Sequence, residues 1–80
     1  MVEINVYTTQ TCPHCTQLKQ WLEDNDYDYN EHQVDKDQEK AKEMMQRSGR
    51  RGVPQIFIGD KAIVGFQPKK IRSTVQNARS

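Results

Sequence analysis

Two cysteines three positions apart, Cys12 and Cys15, enclose Pro13 and His14. Thiols at this spacing suit disulfide exchange: a thiolate attacks an external disulfide, and the neighbouring thiol then resolves the mixed disulfide that results. With a strand before the pair and a helix starting at it, the first sulfur lies at a helix N-terminus. Unpaired N–H groups and the positive end of the helix dipole stabilise negative charge there. Cysteines in such motifs ionise more readily than an ordinary thiol, and the thiolate is the attacking form. Cys12 is therefore read as the nucleophile, and Cys15, one helical turn further in and with a higher pKa, as the resolving thiol. Pro13 suits the first helical turn, where its missing N–H costs nothing. His14 has two readings. Protonated, it favours the Cys12 thiolate and makes the couple more oxidising; otherwise it is a solvated loop imidazole. The pair also has two non-redox readings, as small core hydrophobes or as half of a zinc site. A closed zinc site needs four ligands, and only His14 and His32 remain. His14 lies inside the motif and His32 on an expected strand without finger-like spacing, so no metal site is expected. His32 is read as a surface or strand side chain.

The elements that must position these sulfurs follow from periodicity. Val2, Ile4 and Val6 alternate with polar residues, which predicts a strand over residues 2 to 8. Pro13 opens a helix from about 13 to 24, with Cys15, Leu18, Trp21 and Leu22 at helical spacing. Tyr27 to Val34 reads as a second strand that begins near Tyr29. Asp37 is an N-cap for a helix over 38 to 48, with Ala41, Met44 and Met45 as its buried face and Gly49 ending it. Arg50, Arg51 and Gly52 form a loop. Gln55 to Ile58, the Gly59-Asp60 turn and Ala62 to Gly65 spell a hairpin. Pro68 opens a last helix with Ile71, Val75 and Ala78 along one face and Lys69, Lys70 and Arg72 toward water. The order β-α-β-α-β-β-α, without repeats or linker, predicts a single α/β domain with helices on the faces of a sheet.

Composition narrows the function classes. Eighty residues with a 34% apolar share allow one small core. The mean hydropathy is -1.00, and no apolar run approaches the roughly 18 residues of a spanning helix. No basic segment followed by an apolar run opens the chain, so no secretory signal is expected and the cytoplasm is the expected compartment. Two cysteines are too few to staple a secreted miniprotein. The formal net charge of +1 argues against a protein that coats nucleic acid. That total hides a dipole: residues 23–43 carry nine acids against three lysines, whereas residues 44–80 carry one acid against eight bases. The basic half lacks aromatic-basic interleaving, so it is read as steering acidic partners rather than binding nucleic acid.

Tyr7-Thr8 leading into Thr11-Cys12-Pro13-His14-Cys15, then Val53-Pro54-Gln55-Ile56-Phe57-Ile58-Gly59, then Gly65-Phe66, resembles a glutaredoxin over nearly the whole chain. The resemblance implies a thioredoxin-like fold, a four-stranded mixed sheet flanked by three helices. It also implies a dithiol–disulfide oxidoreductase that reduces protein or glutathione mixed disulfides, with glutathione as co-substrate and no bound cofactor. In that family the proline matching Pro54 is cis and lies against the nucleophilic cysteine, and the residue matching Val53 lends its backbone to an extended substrate. A cis X-Pro bond turns the chain sharply and removes a donor, which suits both roles. On the residues alone, a trans proline entering an edge strand is the alternative.

Glutathione-using members of the family often carry a lysine three residues before the first cysteine, a tyrosine where His14 stands, a threonine at Gly52 and an acid after the glycine motif. Here Thr9, His14, Gly52 and Gln67 occupy those positions. Arg50 and Arg51 either replace the missing cation or form a solvated basic loop. Gly65-Phe66-Gln67-Pro68 is similar to NrdH-type redoxins, which implies thioredoxin reductase as the electron source and ribonucleotide reductase as the recipient. Phe66 then serves docking if exposed and packing if buried. Another alternative implied by the resemblance is an iron–sulfur carrier that holds a cluster through Cys12 and glutathione, though such relatives typically carry a C-G-F-S motif. The expected binding set is therefore Thr9, Arg50, Arg51, Val53, Pro54, Gly65, Phe66 and Gln67, in a monomer whose partners are disulfide-containing proteins and one of the two reductants.

Overall fold

The computed structural model describes residues 3–50 and 52–79. Four strands and three helices follow one another as β1 (Ile4–Thr8), α1 (Pro13–Asp24), β2 (Asn30–Gln33), α2 (Gln38–Ser48), β3 (Gln55–Ile58), β4 (Lys61–Val64) and α3 (Pro68–Arg79). The sheet order is β2-β1-β3-β4. β1 runs parallel to β2, with Tyr7 opposite His32, and antiparallel to β3, with Val6 opposite Ile56. β3 and β4 form the hairpin, whose two-residue turn begins at Gly59 with φ 58°. Glycine at the first turn position takes that left-handed conformation without a Cβ clash.

Alternation along β1 and β3 divides the core between the two faces of the sheet. Ile4, Val6, Ile56 and Ile58 point to the face covered by Leu18 and Leu22 of α1 and Ile71 and Val75 of α3. Tyr7 and Phe57 point to the opposite face, where Met44 of α2 covers them. α1 and α3 therefore share one side and α2 holds the other. α2 begins and ends as its sequence predicts: the Asp37 side chain accepts from the Lys40 N–H, and Gly49 closes the helix at φ 73°.

Several details differ from the sequence reading, one being that β4 spans Lys61–Val64 rather than Ala62 to Gly65, because the two-residue turn ends at Asp60 and pairs Lys61 with Ile58. Met45 was expected on the buried face of α2, yet it is 37% exposed while Met44 is 2% exposed, and Ala41 is only half-buried. The apolar patch under α2 is narrow, and a helical step of about 100° carries Met45 off it. Ala78, expected on the buried face of α3, is exposed and lines a cleft against Ile58–Lys61, where helix and hairpin separate. β2 starts at Asn30, one residue after the expected Tyr29. Val2 lies outside the described residues, and Glu3, expected in the first strand, precedes β1, which begins at Ile4.

Candidate active site

Cys12 is the N-cap of α1, with extended backbone at φ -102° and ψ 107°, and Pro13 follows in the first turn. The Cys15 N–H donates to Cys12 Sγ at 3.2 Å. That bond satisfies one of the orphan donors of the helix start, and together with the helix dipole it favours negative charge on the sulfur. Cys12 is partly accessible, whereas Cys15 is buried, and both are free thiols. Burial, followed by the hydrogen bond with Cys12, pushes the Cys15 thiol up to about 12, against a smaller opposing pull from the Thr9 N–H. The outer sulfur is thus reachable and receives an N–H, while the inner one is held protonated.

The second wall is the loop entering β3. The Val53-Pro54 peptide bond is cis, not the trans alternative. The Cys12 thiol donates to the Val53 carbonyl at 3.8 Å, so of the two Val53 backbone groups expected to face a substrate, the carbonyl already faces the sulfur. Among the described residues the Val53 N–H has no backbone acceptor. Pro54 is buried, and its carbonyl accepts the Gly65 N–H at 2.8 Å. Gly65 sits at φ 87°, a left-handed conformation that favours glycine. This bond ties the end of β4 to the cis-proline loop.

The other expected residues are spread more widely. His14 is exposed on the first turn of α1, on the helix rather than in a loop. Thr9 reaches the site through its backbone, at Cys15. Phe66 is half-buried, packed against the larger core with its ring 6.4 Å from Trp21 in an edge-on arrangement, so the choice between docking and packing resolves into partial burial. Gln67 is exposed and turns its amide back onto the Val64 carbonyl at 2.7 Å. Arg50 is exposed, with its backbone bound to Ser48 and Gln55. Arg51 lies outside the described residues. His32 is half-buried on β2, its ring 5.0 Å from Tyr7 and its Nε2 3.1 Å from Asn5 Oδ1.

Sequence reasoning missed two features. Gln55, read only as a strand residue, is fully buried, and its Nε2 donates to the carbonyls of Arg50 and Gly52 at 2.9 and 2.8 Å. It fastens the loop that carries Val53. Lys19 of α1 pairs with Glu31 of β2 at 2.8 Å behind the cysteines. The one available signal was spacing, since Lys19 stands four residues after Cys15 and hence on the same helix face.

A Cys-x-x-Cys pair opening the first helix opposite a cis-proline, on a mixed four-stranded sheet, is the arrangement of a thioredoxin-like redox protein. Comparison with known proteins narrows that class. The glutaredoxin family model matches residues 4–63. Glutaredoxin 3 of Escherichia coli is 40% identical over 65 residues, covering 81% of this chain and 78% of the relative. Among solved structures, a glutaredoxin from Archaeoglobus fulgidus superposes with a TM-score of 0.85 at 26% identity, covering 95% of this chain and 88% of the other. The glutaredoxin-like NrdH-redoxin of Escherichia coli gives 0.79 at 31% identity, covering 89% and 92%. The chain belongs to the glutaredoxin family, whose members are in general thiol–disulfide oxidoreductases, and carries a Cys12/Cys15 pair.

Proposed function

We propose that this protein is a cytoplasmic, monomeric dithiol–disulfide oxidoreductase that reduces protein or glutathione mixed disulfides and is itself re-reduced by glutathione. One observation carries the reading: an accessible Cys12 Sγ that receives an N–H at 3.2 Å stands in front of a buried thiol pushed up to about 12. Cys12 attacks one sulfur of the substrate disulfide and expels the other as a thiolate. Cys15 then loses its proton and attacks Cys12 Sγ, the substrate sulfur leaves reduced, and a Cys12–Cys15 disulfide remains. Two glutathione molecules reduce that disulfide and become glutathione disulfide. Val53 aligns the substrate through its backbone, set by the cis bond to Pro54; Thr9, Arg50, Gly65, Phe66 and Gln67 border it, with Arg51 assigned from the sequence. Pro13 and His14 tune the couple.

Phe66 favours a second reading. Half-buried beside Trp21 and following the Gly65 that binds the Pro54 carbonyl, it offers an apolar edge one residue beyond the contact with the cis-proline loop, as suits a redoxin fed by thioredoxin reductase and serving ribonucleotide reductase. Consumption of NADPH during reduction of a disulfide substrate tests both, with glutathione and glutathione reductase in one arm and thioredoxin reductase in the other. Turnover mainly in the first arm supports the glutathione-linked reading, and turnover mainly in the second replaces it with the reductase-fed one. Cys12→Ser abolishes turnover in either arm and Cys15→Ser accumulates mixed disulfide; full activity of Cys12→Ser refutes the assignment.

A further inference from the structure

Before Cys15 attacks it must shed a proton, and its surroundings oppose that. It is 1% exposed, and burial leads the causes that raise its thiol. The groups that face it are few. From its own helix come Cys12, whose hydrogen bond and charge also raise it, and Lys19, whose charge lowers it; from the loop after β1 comes the Thr9 N–H, which lowers it as well. Lys19, four residues after Cys15 in α1 and so on the same helix face, is the one cation among these causes, and it is held in place. Its Nζ donates to Glu31 Oε2 at 2.8 Å, and the buried Thr8 hydroxyl donates to the same oxygen at 2.8 Å. Tyr29, which precedes β2, also faces the Lys19 ammonium and in turn reaches Glu23 at 3.4 Å.

Neither member of the pair is suited to take the proton. The hydrogen bond to Glu31 holds the Lys19 ammonium above its ordinary value against the opposing effect of burial. Burial pushes the Glu31 carboxyl up, but the hydrogen bonds from Lys19 and Thr8 with the Lys19 charge outweigh it and hold it below. The pair stays charged on both sides and acts by its field.

We propose that the Lys19 ammonium, fixed by Glu31 and Thr8, is a positioning charge that stabilises the Cys15 thiolate in the resolving step, and that Glu31 moderates its strength. The inference rests on the dithiol reading above. In the mixed disulfide Cys12–S–S–R, the Cys15 proton passes to solvent and the thiolate attacks Cys12 Sγ. The bond to R breaks as the Cys12–Cys15 bond forms, and RS⁻ takes a proton from solvent, so R is reduced and the cysteine pair oxidised.

The test isolates that step. The Cys12 mixed disulfide with thionitrobenzoate is formed at acid pH and jumped to a series of higher pH values, and release of the coloured thiolate is followed by stopped flow. Lys19→Met slows release about threefold at neutral pH and moves its pH profile up by about half a unit, the scale expected for a partly exposed, ion-paired charge near a buried thiol. Glu31→Gln, which retains an acceptor for both donors, moves the profile the opposite way, and Lys19→Arg restores it. The rate at which reduced protein first attacks the parent disulfide stays within about twofold, because only Cys12 acts there. Shifts in the same direction for Lys19→Met and Glu31→Gln mean general loosening and overturn the proposal, as do unmoved profiles. Absence of any release from the unmodified protein overturns the dithiol reading itself and is thereby distinguished.

Discussion

Holding the Cys15 thiol protonated costs stability at alkaline pH. In the unfolded chain a cysteine ionises near 8.5, whereas in the folded chain burial and Cys12 push Cys15 to about 12. Between those values the folded state keeps a proton that the unfolded state gives up, so stability is fully present below the lower value and is lost as pH rises toward the upper one. The slope is about 1.4 kcal/mol per pH unit, and the loss between pH 7.5 and 9.5 comes to about 1.4 kcal/mol. The clean comparison is Cys12→Ser against Cys12→Ser/Cys15→Ala, both in reductant. Removing the Cys12 sulfur abolishes its own titration and its coupling to Cys15, but the largest cause, burial, survives. Tyr7 and Tyr29, both also raised by burial, and Lys19, raised by its hydrogen bond to Glu31, occur in both variants, so their contributions largely cancel. Urea denaturation at half-unit pH steps measures the difference. The Cys15-containing protein loses about 1.4 kcal/mol more than its partner over the interval. A constant offset between the two curves from pH 7.5 to 9.5 would refute the reasoning, because it would mean that folded and unfolded chains ionise Cys15 alike.

The remaining predictions concern tuning and packing. His14→Tyr makes the reduction potential more negative by about 5–20 mV, the size expected of one exposed charge in a first helical turn; equilibration with a glutathione redox buffer measures it, and a parent value equal to or below that of the variant contradicts the tuning role. Met44→Ala costs about 2–5 kcal/mol and Met45→Ala under about 0.5 kcal/mol in denaturant titrations, and comparable losses would contradict the orientation of α2.

Much of this architecture was legible because local rules and global fold agree. Pro13, Asp37 and Gly49 mark helix ends by their own chemistry, and the helix boundaries of α1 and α2 coincide with those marks. The sulfur pair was legible for the same reason, since Cys12 caps the helix that presents it. What escaped depends on pairing across the fold. Glu31 meets Lys19 and Thr8 only because β2 lies parallel to β1 in the register that sets Glu31 opposite Val6, and no local pattern encodes that register. Gln55 reads as an ordinary polar strand residue until the preceding loop folds over it and supplies two carbonyls. Met45 went astray because an apolar residue at helical spacing says nothing about how wide the surface beneath it is.

The two faces of the sheet are unequal. Among the described residues, nine buried side chains form the cluster under α1 and α3, against three under α2. Both sulfurs ride on α1, on the well-filled side, so the part of the molecule that performs exchange is fastened to its firmest region. α2 is held chiefly through Met44 and is the natural first unit to detach and reattach in brief local openings. The molecule can then breathe on one side while the other keeps the cysteines in register. The same imbalance frees the outer surface of α2 to accept substitutions that the exchange chemistry never senses.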